Sequence, residues 1–200
     1  MGLRPAGDPV GADVTSEDDV AAAGAGEARA VIGNELLYAE DLEVGLSIPL
    51  GSYQTTHSEI IAFAERWDPQ PFHIDDAAAA QGYFGGVIAS GVHTLAIFQR
   101  LAVLGAYRSW AIIAGRTIRE VQLTSPVRAG ATLHGTLSIL EIELSRHDRA
   151  LVTTGGSLVD DSGDPVLTVE LQAYLRRRPA PPEGAGRRDG SDVSDRRLRR

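Results

Sequence analysis

The chain has 200 residues, 43% of them apolar, and a formal net charge of −8. This length allows one domain with a sizeable core, and the acidic balance disfavours general binding to nucleic acid. The absence of cysteine and lysine excludes disulfides, thiolate metal sites, a cysteine nucleophile and a Schiff-base lysine. No apolar run approaches the roughly 18 residues of a membrane span, and no secretory pattern is recognised. We therefore expect a cytoplasmic protein with no membrane partner.

Two segments have the composition of disordered tails. Residues 1–33 form an acidic tail with few large apolar side chains, so burial cannot offset the entropy of ordering it. Residues 179–200 form a second tail, with three prolines and three arginine pairs. A basic tail can bind nucleic acid or an acidic partner, or can simply be solvated, which is the plainer interpretation. A single domain is predicted between them, over residues 34–178.

The first half of this domain has the pattern of one strand followed by two helices. Leu46 to Thr55 is short, apolar and partly β-branched, which favours a strand. Thr56 and Glu59 have the spacing of a capping box, in which hydroxyl and carboxylate each satisfy a backbone donor. Asp75 to Gln81 is predicted as a second helix with an aspartate cap. The first helix should end near Pro69, and its apolar residues recur at helical spacing: Ile60, Ile61, Ala64 and Trp67.

The second half begins with a long apolar segment from Ser90 to Leu104. Apolar residues lie on nearly every face of this segment, which predicts a helix buried on all sides. Strands that follow each other closely form an antiparallel sheet. One strand before the helices and four after them predict an α+β fold in which the sheet curls around the central helix. The four later strands are predicted at residues 112–123, 132–144, 150–160 and 166–175.

Residues 67–75 contain a carboxylate and an imidazole that could act together in acid–base catalysis. Asp68 and His73 are separated by a segment that contains Pro69 and Pro71. The prolines prevent one helix from carrying both side chains, and they lower the entropy cost of holding the pair in place. A carboxylate beside an imidazole is an effective acid–base pair near neutral pH. Gly91 then begins the apolar helix, where free backbone N–H groups can stabilise an oxyanion.

The pattern Asp68-x-x-Pro71-x-His73 followed by Gly91 resembles the MaoC-like dehydratases, also called (R)-specific enoyl-CoA hydratases. The resemblance covers about residues 36–176, and neither tail takes part. It implies the hot-dog fold, in which an antiparallel sheet wraps around a long helix, and it implies a homodimer.

The resemblance also implies an activity and a set of site residues. The reaction is the reversible hydration of trans-2-enoyl thioesters to (3R)-3-hydroxyacyl thioesters. Asp68 and His73 hold the water and move its protons, and the N–H of Gly91 polarises the thioester carbonyl. Ser90 and Val92, beside Gly91, are expected to contribute to the oxyanion and substrate-binding segment. Coenzyme A or acyl carrier protein enters as part of the substrate, with no metal or redox cofactor.

Two positions depart from the family pattern. Gln70 stands where the family motif has asparagine, and the extra methylene is expected to rearrange a hydrogen bond of the loop. Gln99 stands where well-known members have a serine that supports the acid. These departures affect the surroundings of the pair and the length of the acyl group more than the pair itself.

Two other functions are compatible with this sequence. A thioesterase would use Asp68 to activate water against the thioester carbon. A non-catalytic acyl-binding or partner subunit would use the charged tails as contacts. Release of free thiol distinguishes the first from hydration, and absence of activity alone would favour the second.

Several other polar residues have two interpretations each. His93 and Thr94 lie in the first turn of the apolar helix, where they could contact substrate or pack against neighbouring elements. Arg116, Arg119 and Arg128 could bind the phosphates of coenzyme A, or lie on a solvated face of the sheet.

Overall fold

The computed structural model describes residues 36–144 and 146–179. Both predicted tails therefore lie outside the described residues, apart from Pro179. The helices are α1 (His57–Trp67), α2 (Pro71–Ile74), α3 (Asp76–Gln81) and α4 (Gly91–Gly105), and short 3-10 turns lie at Ala39–Asp41 and Tyr107–Ser109. The strands are β1 (Ser47–Gln54), β2 (Ile112–Leu123), β3 (Thr132–Glu143), β4 (Arg149–Val159) and β5 (Pro165–Arg176). None of the helices in this part of the chain is long and apolar enough to cross a membrane.

The five strands form one antiparallel sheet in the order β1-β3-β4-β5-β2. α4 contacts β1, β3 and β4, and its buried side chains share one core with those of the sheet. The approach is close, because a Cβ atom at Gly156 of β4 would lie 2.0 Å from the ring of Phe98 on α4. The predicted α+β architecture, an antiparallel sheet against one long helix, is confirmed.

The prediction that α4 is buried on all sides is wrong for the single chain. Its inner face, which includes Phe98 and Ala102, is completely covered. Its outer face is open, with Val92 58% exposed and Val103 and Leu104 also exposed. The reason is geometric, because the sheet of one chain covers only one side of the helix. An apolar stripe is therefore left uncovered along α4.

Of the two hydrogen bonds in the predicted capping box of α1, one is confirmed. Thr56 Oγ1 accepts a hydrogen bond from the backbone N–H of Glu59 at 3.3 Å. The Glu59 carboxylate instead turns to β1, where it accepts a hydrogen bond from the Tyr53 hydroxyl. A tertiary partner has replaced the local one. Asp75 caps α3 as predicted, accepting from two backbone N–H groups of its first turn at 2.8 and 3.0 Å.

The segment between Asp68 and Asp75 differs from the predicted loop. Pro71 begins the one-turn helix α2, which carries His73. Proline is favoured at the first position of a helix, where its missing N–H costs nothing. Trp67, the last residue of α1, is 65% exposed rather than part of the buried stripe. Asp68 and His73 nevertheless lie on different helical segments, as the prolines predict.

Candidate active site

Asp68 lies where α1 ends, and His73 lies on α2. The backbone N–H of Asp68 donates to the carbonyl of Ala64 at 2.8 Å, so this residue is fixed as the C-cap of α1. The chain then turns at Pro69 and α2 begins. The turn brings His73 Nε2 to 3.5 Å from Asp68 Oδ2. The structure thus places the predicted acid and imidazole face to face.

The orientation of His73 is fixed by a backbone carbonyl. The residue is only 4% exposed, and its Nδ1 lies 2.7 Å from the carbonyl oxygen of Ile88. Since a carbonyl can only accept, Nδ1 carries the proton. In the neutral imidazole Nε2 is then an acceptor, and it points toward the Asp68 carboxylate. The ring also packs against Phe72, with ring centroids 4.3 Å apart.

Asp68 is held in its ionised form by two side-chain donors. The Ser90 hydroxyl donates to Oδ2 at 2.7 Å, and the Gln70 amide donates to Oδ1 at 2.8 Å. The bond from Ser90 contributes most to lowering the pKa of Asp68, followed by the bond from Gln70. Partial burial acts in the opposite direction but is outweighed, and proximity to His73 lowers the pKa further. Asp68 is therefore a charged acceptor at neutral pH.

Ser90, whose expected contact with substrate stays a prediction, has a further role that the sequence did not reveal. It is completely buried and caps α4, because its Oγ accepts from the backbone N–H of Val92 at 3.2 Å. The same hydroxyl donates to Asp68, so one serine joins the start of α4 to the end of α1. A serine directly before an apolar helix is a recognisable cap signal. Gln99, the position expected to supply a supporting serine, instead lines a separate cavity of about 450 Å³ beside Tyr107.

A largely apolar cavity of about 370 Å³ opens beside His73. Gly91, at the first position of α4, lies on its wall together with Thr94. A Cβ atom at Gly91 would lie 2.2 Å from Leu123 Cδ1, so only glycine fits there without displacing that side chain. The rest of the wall is mostly apolar: Phe72, Phe84, Ile88, Leu123, Pro126 and Val127, with Thr124 and Ser125. The cavity thus offers an apolar space with an imidazole and a helix N-terminus on its wall.

Of the other predicted binding residues, Val92 is not brought to this cavity. Its side chain is exposed on the outer face of α4 and its N–H is used by Ser90. Its proposed contact with substrate stays a prediction.

The three arginines considered for phosphate binding lie apart. Arg119 pairs with Glu170, and Arg116 stacks on Tyr174 with its guanidinium carbon 5.8 Å from the ring centroid. Arg128 donates to the Phe84 carbonyl, a residue that lines the cavity of His73. Within residues 36–144 and 146–179, no cluster of three potential metal ligands is found.

The chain is similar to known proteins in both sequence and structure. A family model described as "MaoC like domain" matches residues 47–160. The 3-hydroxybutyryl-CoA dehydratase of Methylorubrum extorquens is 32% identical over 122 residues, which are 60% of this chain and 74% of that protein. The crystal structure of the MaoC-like dehydratase from Rhodospirillum rubrum is 38% identical, with a TM-score of 0.65, over 72% of this chain and 99% of that one.

A second solved structure is similar in fold. The (R)-hydratase from A. caviae involved in PHA biosynthesis is 24% identical, with a TM-score of 0.58, over 68% of this chain and 98% of that one. The region that the family model matches contains Asp68, His73, Ser90 and Gly91.

Proposed function

Since the chain belongs to the MaoC-like domain family, we propose that it catalyses the reversible hydration of trans-2-enoyl thioesters to (3R)-3-hydroxyacyl thioesters. The hot-dog fold of that family is the one described above. One observation carries the proposal. Asp68 Oδ2 and His73 Nε2 face each other at 3.5 Å, and His73 and Gly91 line the same apolar cavity.

The two facing atoms favour a water molecule as the group they hold. Ionised Asp68 and the Nδ1–H tautomer of His73 both present acceptors toward the same point. Two acceptors repel each other, whereas one water has two O–H donors that satisfy both. Its oxygen lone pairs then point away from the pair and can attack an electrophilic carbon. This is the arrangement that general-base catalysis requires.

Asp68, His73 and the N–H of Gly91 are sufficient to place both hydrogen atoms of the added water. As the water oxygen bonds to C3, His73 Nε2 takes one water proton, and the electrons of the C2–C3 double bond move into the thioester. The N–H of Gly91, at the start of α4, stabilises the oxyanion that forms. His73 then returns the proton to C2. Asp68, the weaker base because its pKa is lowered, orients the water and stabilises the imidazolium.

The geometry has a stereochemical consequence. Hydroxyl and proton both come from the Asp68–His73 pair, which lies on one side of the bound double bond. Addition is therefore syn. The apolar wall of the cavity suits the acyl chain, and the acyl group is carried as a thioester of coenzyme A or of acyl carrier protein.

The reaction class is tested directly with trans-2-butenoyl-CoA. Hydration removes the conjugated enoyl absorbance without releasing thiol, whereas a thioesterase releases free coenzyme A. We expect loss of absorbance with no free thiol from the purified chain. Thiol release at the same rate as substrate loss, or no reaction with short, medium and long acyl groups on either carrier, would overturn the proposal.

Ser90 gives a pH-dependent prediction. Replacing Ser90 with Ala removes the donor that lowers the pKa of Asp68 most, so that pKa should rise toward its ordinary value. This pKa can be measured from the ¹³C signal of the Asp68 carboxyl group in an NMR titration. Gln70→Ala should raise it by a smaller amount. An unchanged Asp68 pKa in the serine variant would contradict the role assigned to the Ser90 hydrogen bond.

We propose a homodimer as the form that carries this site. The outer face of α4 exposes the apolar side chains of Val92 and Val103, and β2 exposes Ile113 and Ile118. Among the described residues β2 pairs only with β5, so its other edge can add a strand of a second copy. Sedimentation equilibrium should give twice the mass of the chain, and a monomer at micromolar concentration would contradict the assembly.

A further inference from the structure

A second polar cluster joins β1, α1 and α4 outside the cavity of His73. It consists of Tyr53 on β1, Glu59 on α1 and His93 on α4. The Tyr53 hydroxyl donates to Glu59 Oε1, and His93 Nε2 lies 3.5 Å from the same oxygen. Burial and the neighbouring carboxylate raise the pKa of Tyr53 to about 12, so the phenol remains a donor. We call these three residues the clamp.

Two contacts hold the His93 ring in one orientation, stacking on Phe63 and the approach of Nε2 to Glu59. His93 is only 4% exposed, and its ring stacks on Phe63 of α1, with centroids 4.4 Å apart and planes 7° from parallel. Its Nδ1 is buried without a hydrogen-bond partner among the described residues. A proton on Nδ1 would be unsatisfied there, so the neutral ring with its proton on Nε2, toward Glu59, is favoured. Burial also lowers the pKa of His93, and the Glu59 charge only partly opposes this.

The clamp departs from what the sequence of α1 favours locally. Glu59 has the position of a capping-box carboxylate, which would bond to the backbone N–H of Thr56. In the structure the carboxylate leaves that local role for Tyr53 and His93. A group drawn from a local partner into a partly buried tertiary network fixes the elements that it joins.

The clamp and the catalytic pair meet at the same turn of α4. Ser90, the cap of α4, bonds to Asp68 at the end of α1. His93, three residues later, contacts Glu59 in the first turn of α1. α1 is therefore attached to the first turn of α4 near both of its ends. If the Glu59 end of α1 shifted, the helix would tilt about the hydrogen bond between Ser90 and Asp68, and the Asp68 carboxylate would turn relative to His73.

We propose that His93, held by Glu59 and Tyr53, is a positioning residue that sets the orientation of α1 against α4 and thereby the separation of Asp68 and His73. This inference rests on the proposed function, because its main readout is hydration. His93 is not among the residues that line the cavity of His73, and its Nε2 faces Glu59 rather than the catalytic pair. The interpretation of His93 as packing, rather than substrate contact, is the one the structure favours.

Gln and Asn at position 93 differ in where they place the side-chain amide. In Gln the amide nitrogen can reach the place of Nε2 and still donate to Glu59. In Asn the amide reaches only the place of Nδ1, where there is no partner. A displacement of about 1 Å can cost about 100-fold in rate. We expect His93→Asn to lower kcat by about 10- to 100-fold and His93→Gln by no more than about 3-fold, with KM changed less than about 3-fold in both.

Two further variants test the same inference. Tyr53→Phe removes one partner of Glu59 but leaves His93, so a smaller loss of kcat is expected. His57→Gln is the control. His57 is the first residue of α1, but it pairs with Asp76 at the surface, at 2.9 Å. The control should keep the wild-type kcat. Equal kcat values for the Gln and Asn variants at position 93, whether high or low, would overturn the inference.

A second readout does not depend on hydration. The imidazole chemical shifts of His73 can be compared by NMR among the variants at one pH. His93→Asn should change them from the wild-type values, because the Asp68 carboxylate has turned, and His93→Gln should not. Unchanged His73 signals in the Asn variant would overturn the inference. If the wild-type chain hydrates no enoyl thioester, the proposed function fails, and this comparison alone decides the role of His93.

Discussion

Replacing Asp68 with Asn is expected to lower kcat for enoyl-thioester hydration by about 10²- to 10⁴-fold. Asn keeps the shape of Asp68 and can still accept from the Ser90 hydroxyl. It has no charge to stabilise the imidazolium of His73, and its neutral oxygen is a weaker acceptor for the water than a carboxylate oxygen is. The Asp68 side chain is 25% exposed, and the substitution weakens hydrogen bonds to a charged group, so the free energy of unfolding should fall by about 1 to 3 kcal/mol.

The measurement compares initial rates of hydration of trans-2-butenoyl-CoA, with thermal unfolding followed by circular dichroism. The matched control is Asp76→Asn, because Asp76 also pairs with a histidine, His57, but at the surface. That control should keep the wild-type rate. A folded Asp68→Asn variant with more than a tenth of wild-type kcat would show that Asp68 does not take part in the reaction.

His73→Asn is expected to cause a loss of similar size, about 10²- to 10⁴-fold in kcat. The amide of Asn can take the place of Nδ1 and donate to the Ile88 carbonyl, so the buried hydrogen bond is kept. The acceptor at the place of Nε2 is lost, and no other group there can carry the proton from water to C2. The loss therefore reports the missing proton carrier rather than a broken core.

The effects of substituting Asp68 and His73 on kcat should not be additive in free energy. Once either member is absent, the second substitution has little left to remove, so the double variant should be no more than about 10-fold slower than the slower single variant. His134→Gln serves as the control, since His134 pairs with the exposed Asp161 at 3.0 Å. Multiplicative losses in the double variant would mean that Asp68 and His73 act in separate steps.

The sequence predicted the strands and the helices α1, α3 and α4, because these depend on local signals. Alternating and β-branched residues predict the strands to within a few positions, and the aspartate cap of α3 is correct. As the prolines predict, Asp68 and His73 lie on different helical segments. The approach of the pair to 3.5 Å depends on the one-turn helix α2, which the sequence predicts as a loop.

The parts that the sequence did not predict depend on tertiary partners. The outer face of α4 is apolar, yet no local pattern says whether one chain or two must cover it. Ser90 could be recognised as a cap, but its bond to Asp68 requires the ends of α1 and α4 to meet. Glu59 similarly fits a local capping box until Tyr53 and His93 compete for it. In each case a contact distant in sequence decides between two locally reasonable structures.

In the proposed reaction one pair of side chains, Asp68 and His73, delivers both the hydroxyl and the proton from one side of the substrate. The most direct measurement is hydration of trans-2-butenoyl-CoA in ²H₂O, with the product analysed by NMR. We expect a (3R)-3-hydroxybutyryl thioester with one deuterium at C2, as the single diastereomer of syn addition. A product of anti addition, a mixture of C2 diastereomers, or hydrolysis to the free acid would contradict it.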